Sequence, residues 1–257
     1  VSLQPHDVEA MVFWTRHPRH LLAHLDELDR RDYCYYFQYT LMDNPRALEP
    51  HTPPAETAIR SFRELAQHVG ADRVIWRYDP IVFSNATDLE FHTAAYRRLA
   101  EALRGCTKRS VISIMDLYGK ARPRLLGLAG AGIRVQADEG AVRALTAELA
   151  PRLADTAAAN GMEIVSCAET LDLRPFGVRP GACVDADYLA RVLGVSVAAK
   201  KDPAQREACG CVSSRDIGMY DSCLFGCRYC YAVASFLRAR ANRLAHDPLS
   251  PSLLGTP

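Results

Sequence analysis

Two kinds of apolar run alternate along the chain. Met11–Thr15, Cys34–Leu41, Arg73–Asp79, Ser110–Leu117 and Glu163–Cys167 are short, rich in Val, Ile, Phe, Tyr and Trp, and often apolar at successive positions. That is the pattern of strands buried on both faces. Ile217–Asp221 is a weaker sixth segment of the same kind. Between these runs apolar residues recur at helical spacing: Leu21, Leu22, Leu25 and Leu28, then Ile59, Phe62, Leu65 and Val69, then Tyr96, Leu99 and Leu103, with a stop near Gly105. Ala141–Asn160 reads as one or two helices interrupted at Pro151. Strand alternating with helix predicts a parallel sheet. No Gly-x-Gly-x-x-Gly follows any strand, which speaks against a dinucleotide fold. The expected fold is therefore α/β, a TIM-like or partial (β/α) barrel. It spans residues 1–246 as one domain and is followed by a flexible tail, 247–257, that holds three prolines.

Composition narrows the classes of partner. At 257 residues the chain can bury a full core. A net charge of +1 gives no pull toward nucleic acid or a membrane surface. No apolar run approaches the roughly 20 residues that span a bilayer, and no signal peptide is visible. Nine cysteines without a secretion signal argue for a reducing, cytoplasmic setting and metal chemistry over a disulfide framework. Cys34, Cys106, Cys167 and Cys183 are scattered and read as small buried side chains, with Cys167 at a strand end beside Glu169. His17, His20 and His24 mark a solvated helix face. Arg228, Arg238, Arg240 and Arg243, placed along a last helix, leave nucleic-acid backbone contact open, although the net charge gives it no support.

In a (β/α) barrel, chemistry gathers where the strands end. Arg16, Gln38 with Thr40, Arg77 with Asp79, Asp116 and Glu169 all fall at such ends and are the pocket candidates. Arg77 and Asp79, set among aromatics, are suited either to fixing a carboxylate or ribose of a small-molecule substrate or to pairing with one another.

The other five cysteines lie between Cys209 and Cys230. Cys223, Cys227 and Cys230 read Cys-x-x-x-Cys-x-x-Cys, with Tyr229 before the last. Three thiolates at these offsets can hold three corners of a 4Fe-4S cluster and leave one iron open. Spacing and aromatic together resemble the radical SAM motif, and Gly226–Tyr231 is similar to the spore photoproduct lyase branch of that superfamily. With Val12–Arg16, Tyr36–Thr40, Val74–Pro80, Cys209–Cys211 and Asp216–Gly218, the chain resembles an uncharacterised bacterial family, domain-of-unknown-function family eighteen-forty-eight. The C-terminal cysteines of that family look like the radical SAM set. The resemblance implies that the cluster binds S-adenosylmethionine at its open iron, that the backbone around Tyr229 helps seat the adenine, and that ferredoxin or flavodoxin donates the electron. It also implies a further strand ahead of Val1. If Ile217–Asp221 is a barrel strand, the cluster loop follows its carboxyl end and a helix begins near Tyr231. Cys209 and Cys211 remain open: a fourth thiolate closing the cluster, a second metal, or a zinc site shared with Cys227 and Cys230.

Overall fold

A computed structural model describes residues 2–117, 119–250 and 252–254; Val1, Tyr118, Pro251 and the last three residues of the expected tail lie outside them. Six strands, β1 (Met11–Thr15), β2 (Tyr35–Thr40), β3 (Val74–Ile81), β4 (Arg109–Ile114), β5 (Glu163–Cys167) and β6 (Arg179–Gly181), form one sheet in chain order. Every pairing is parallel. The helices are α1 (Arg19–Leu22), α2 (Leu25–Arg30), α3 (Ala55–Val69), α4 (Leu89–Ala102), α5 (Ala121–Leu126), α6 (Glu139–Ala159), α7 (Ala186–Leu193) and α8 (Phe236–Ala245). The α/β class and the parallel sheet stand. No helix among the described residues is long and apolar enough to cross a membrane.

Alternation along the strands separates two cores. Tyr35, Phe37 and Tyr39 of β2 and Val74, Trp76 and Tyr78 of β3 face the apolar stripes of α3, α4 and α6, which pack on this side together with Leu25. The intervening residues, Tyr36, Ile75, Val111 and Val165, face the opposite way. They are covered by Tyr188 and Leu189 of α7 and by Cys183, Cys209, Cys211 and Val212. This inner face is sealed at the amino ends of the strands. There Arg109 pairs with Glu163 and with Asp185 at 2.8 Å, and its guanidinium lies 4.2 Å from the Tyr188 ring centroid.

Three local expectations are corrected. Ile217–Asp221 is not a strand: Ile217 and Tyr220 are about half exposed, and Asp221 has φ 54°. It pairs with neither edge of the sheet, and an apolar pair this short has nothing else to bury it. The last helix begins at Phe236, later than Tyr231. The Asp221 carboxylate captures the N–H groups of Ala234 and Ser235, and the Ser235 hydroxyl caps Arg238 N. Arg228 accordingly lies off this helix, in the cysteine loop. Pro151 does not interrupt α6, because Leu149, Ala150, Leu153 and Ala157 on either side of it are buried against the sheet, and tertiary burial outweighs one lost backbone hydrogen bond. The strand β6 was absent from the pattern because Pro180 sits in it. Proline is tolerated there because β6 is an edge, with β5 as its single neighbour among the described residues.

The helix-side core predicts a large cavity penalty. Phe62 is fully buried and packs against Tyr39, with ring centroids 4.9 Å apart and the planes tilted by 50°. Phe62→Ala should lower unfolding stability by about 3–5 kcal/mol, measured by denaturant titration with an unchanged m-value.

Candidate functional site

Parallel strands deliver their carboxyl ends to one side of the sheet, and the inward positions there are polar. Gln38, Arg77, Asp79, Ser113 and Cys167 share the face of Tyr36, Ile75, Val111 and Val165 by alternation. Arg77 Nε donates to Asp79 Oδ2 at 2.9 Å, and Ser113 Oγ donates to the other oxygen of that carboxylate. Burial alone pushes the Asp79 carboxyl up, but Arg77 and the Ser113 hydroxyl hold it below its ordinary range. Asp79 is thus an anion at neutral pH, balanced by a buried guanidinium. Arg77 Nη1 also donates to Cys183 Sγ at 2.7 Å, and Gln38 Nε2 donates to the Cys183 carbonyl at 2.9 Å.

A second polar knot lies where β1 ends. Arg16 Nη1 donates to Glu49 Oε2 at 3.0 Å, and Arg16 Nη2 donates to the Tyr229 hydroxyl oxygen at 2.6 Å. The Tyr229 O–H in turn donates to Glu49 Oε1, which also accepts from Asn44 Nδ2 at 2.9 Å. Burial disfavours the Arg16 charge, but the fields of Tyr229 and Glu49 more than offset it and raise its pKa above the usual value. This knot ties the cysteine loop to the sheet. The loop is held further by Arg228 N to Leu48 O (2.9 Å), His51 N to Phe225 O (3.1 Å), and Arg124, which donates to the carbonyls of Cys230 and Val233.

Along the loop, Cys223 is exposed, Cys227 buried and Cys230 half-buried. The turn between the first two runs through Gly226 at φ +71°, where a Cβ would come within 3.3 Å of the His51 ring, so glycine suits both the backbone and the space. Burial pushes the Cys227 thiol up to about 12, while Arg16 pulls it down and Cys223 and Cys230 lie close enough to add to the rise. The three thiols are neighbours but do not converge: no three cysteines among the described residues offer sulfurs all within 4.8 Å of one another. A single zinc ion with Zn–S near 2.3 Å holds its sulfurs only about 3.8 Å apart. A cubane spreads its thiolates over separate irons, and the wider loop suits it better.

Cys209 and Cys211 do not join this set. They pack on the inner face with Cys183 and near Cys167, whereas Cys227 and Cys230 sit in an apolar cluster with Leu48, Val82 and Leu125. Among the pocket candidates, Gln38, Arg77 and Asp79 are brought together, and Arg16 adjoins them closely enough to act on Asp79. Glu169 accepts Ile114 N at 2.7 Å, and burial raises its carboxyl to about 7. It stands over a cleft of about 230 Å³, also lined by Ser166, Pro180, Gly181 and Ala208. Asp116 is exposed and pairs with Arg206 at 2.6 Å on the rim.

Two residues were missed in the sequence. Glu49, the hub of the β1 knot, lies in a loop, and nothing near it in the chain signals its partners. Trp14 read as a buried strand residue, yet it lies on the face of Val12 by alternation and is 53% exposed beside the strand ends. Edge position and an exposed aromatic would have been the signal, but edge status is a property of the assembled sheet.

Over residues 1–232 the chain matches the model of the family described as Domain of unknown function (DUF1848), and it belongs to that family. No curated protein and no solved structure matches it.

Two outcomes follow from these contacts. Glu49→Ala leaves the Arg16 guanidinium without its carboxylate and should cost about 3–5 kcal/mol, with faster amide exchange over 223–231 than in Glu49→Gln. For Glu169 the folded pKa lies above the ordinary 4.5, so the stability it contributes is full below that value and is lost as pH rises through 7. Glu169→Gln, which keeps the acceptor for Ile114 N, should therefore melt progressively higher than the wild type as pH is raised from 5 to 8. Parallel melting curves across that range would contradict the assignment.

Proposed function

We propose that this DUF1848 member is an iron–sulfur enzyme of the radical SAM type, with Cys223, Cys227 and Cys230 as ligands of a 4Fe-4S cluster and S-adenosylmethionine as its second cofactor. The observation that carries this reading is the Cys-x-x-x-Cys-x-x-Cys spacing with Tyr229 before the last cysteine. It is supported by the tie from that loop to the ends of the strands through Arg16 and Glu49. The donor set is all sulfur, three in number, and set too wide for one ion, as a cubane with an open corner requires. When bound, such a cluster supplies the electron that cleaves S-adenosylmethionine reductively and so begins radical chemistry on a substrate.

The chain's own residues orient and shield. Trp14 offers a flat exposed face at the strand ends for a base or ring to stack on. The backbone around Tyr229 is a rest for the adenine, and the Tyr229 side chain, turned into the β1 knot, holds that backbone still. Arg77 and Asp79 provide a fixed charge pair for polar groups of a small-molecule substrate. Glu169 can hold or release a proton near neutral pH. Sequential parallel strands with α3, α4 and α6 on one face fit the wall of a partial (β/α) barrel whose carboxyl-end face carries the site. Nine free cysteines suit a cytoplasmic location, where ferredoxin or flavodoxin would serve as electron donor. A closed four-Cys cluster or a shared zinc site has less support, since Cys209 and Cys211 pack with other thiols.

The test is anaerobic reconstitution with iron and sulfide, followed by low-temperature EPR of the reduced protein with and without S-adenosylmethionine. A cubane signal that shifts on adding the nucleotide, and that Cys227→Ala abolishes, is the expected result. A cluster indifferent to S-adenosylmethionine, or no iron uptake at all, would sink the reading.

A further inference from the structure

Two further thiols meet on the inner face of the sheet. Cys167 ends β5, and Cys183 stands two residues beyond Gly181, the register partner of Cys167 at the end of β6. Their sulfurs are 3.2 Å apart. The chain builds this contact from both sides. At Gly181 a Cβ would stand 2.6 Å from Val165 Cγ2, so glycine lets this end of β6 lie close against β5. The Cys183 carbonyl accepts from the Tyr36 hydroxyl and, at 2.9 Å, from Gln38 Nε2, which fixes its backbone. Ala168, directly after Cys167, is turned into the left-handed region at φ 54°, a costly conformation for a residue with a Cβ.

A metal does not account for the pair. Among the described residues, no third Cys, His, Asp or Glu offers a ligand atom within 4.8 Å of both sulfurs. Cys211 Sγ is engaged otherwise, accepting the backbone N–H groups of Cys183 and Val184 at 3.2 and 3.4 Å. Burial of a small side chain does not account for it either, because a guanidinium is aimed at the sulfur: Arg77 Nη1 donates to Cys183 Sγ at 2.7 Å. As thiols, Cys167 and Cys183 can give each other only a weak S–H hydrogen bond. A disulfide holds its sulfurs about 2.05 Å apart, so a shift of about 1 Å by side-chain rotation would close this one. We propose that Cys167 and Cys183 are a redox-active pair, a modification site at which a disulfide of low molecular mass joins the two thiols reversibly beside Arg77.

The step is a thiol–disulfide exchange. Cys167 is half-buried, beside the cleft lined by its neighbours Ser166, Ala168 and Glu169, while Cys183 is buried. The external disulfide therefore meets Cys167 first. Cys167 gives its proton to solvent, its sulfur attacks one sulfur of the external disulfide, and that bond breaks to release a thiolate. The Cys183 sulfur, on losing its own proton, displaces the remaining half from Cys167, and both released thiolates take up protons. Two cysteines are oxidised to one internal disulfide, and one external disulfide is reduced to two thiols. The hydrogen bond to Cys183, and then burial, push the Cys167 thiol up, so the reduced pair persists at neutral pH and exchange quickens as pH rises. Closure draws the Cys183 sulfur toward Cys167 and takes one acceptor from Arg77, leaving its guanidinium to Asp79 and Gln38. The pair thus carries the thiol balance of its surroundings to the polar residues at the strand ends. In a reducing compartment such a disulfide is transient, made and reopened with that balance.

No cluster at the cysteine loop is needed for this chemistry, and the test reads only the peptides that hold Cys167 and Cys183. The full chain is reduced, equilibrated without air in mixtures of reduced and oxidised glutathione, quenched in acid, alkylated and mapped by mass spectrometry. The expected result is a Cys167–Cys183 disulfide that becomes the main form of both residues as the oxidised fraction rises, and that excess dithiothreitol reopens completely. Cys34 and Cys106, on other elements, are the controls and should form no internal disulfide. In Cys183→Ser, Cys167 should instead keep a glutathione adduct; should that variant fail to fold, Cys183→Ala replaces it. Cys167 and Cys183 both alkylated as free thiols at the most oxidising ratio overturn the proposal. So does a pairing of either residue with Cys209 or Cys211 that outweighs theirs, or an oxidised form that dithiothreitol does not reopen.

Discussion

The contact on which the site depends is the buried knot of Arg16, Glu49 and Tyr229. It joins the end of β1 to a loop more than two hundred residues later in the chain. Taking a guanidinium and a carboxylate out of water is expensive, and their mutual attraction offsets the cost only when the remaining hydrogen-bonding positions are filled. Here Tyr229 bridges the pair, Asn44 donates to one carboxylate oxygen and Thr52 to the other. Such a knot adds little net stability over an apolar replacement. What it adds is position, since a mis-set loop would leave a buried charge unmatched. The loop of Cys223, Cys227 and Cys230 is thereby anchored through the residue next to the last of them, beside its backbone ties to Leu48, His51 and Arg124.

The two ends of the sheet are treated differently. At the amino ends, Arg109 with Glu163, Asp185 and Tyr188 closes the inner face under α7. At the carboxyl ends the inner face keeps Arg77, Asp79, Ser113 and Glu169, and Trp14 stays exposed. Parallel strands impose this division, because all of them turn into their following loops on the same side. Arg77 is common ground between the two cysteine groups. It pairs with Asp79 on the side that Arg16 reaches and touches Cys183 on the other.

Much of this is legible in the amino-acid sequence. Five of the six strands, the amphipathic stripes of α3 and α4, and the placement of Arg16, Gln38, Arg77 and Asp79 at strand ends follow from periodicity and from the aromatic and β-branched runs. What failed did so for physical reasons. Ile217–Asp221 had strand-like composition but pairs with neither edge of the sheet, and β6 carried a proline that only an edge strand accepts. Cys167 and Cys183 read as packing residues because each stands alone in its own stretch. Their partnership with Cys209 and Cys211 is made by strand register and by the glycine contact at Gly181.

By itself, then, the sequence determined the local facts: which segments are strand or helix, and the thiol spacing along one short loop from Cys223 to Cys230. Those depend on neighbours within a few residues, where the backbone repeat and bond geometry set the answer. The tertiary structure alone decided which distant groups meet. It assigned Tyr229 to Arg16 and Glu49, placed Cys209 and Cys211 beside Cys167 and Cys183, and left Trp14 open to solvent. Those pairings depend on the order of strands in the sheet and on which segment covers its inner face. Both are settled by burial summed over the whole chain, a quantity that no local pattern carries.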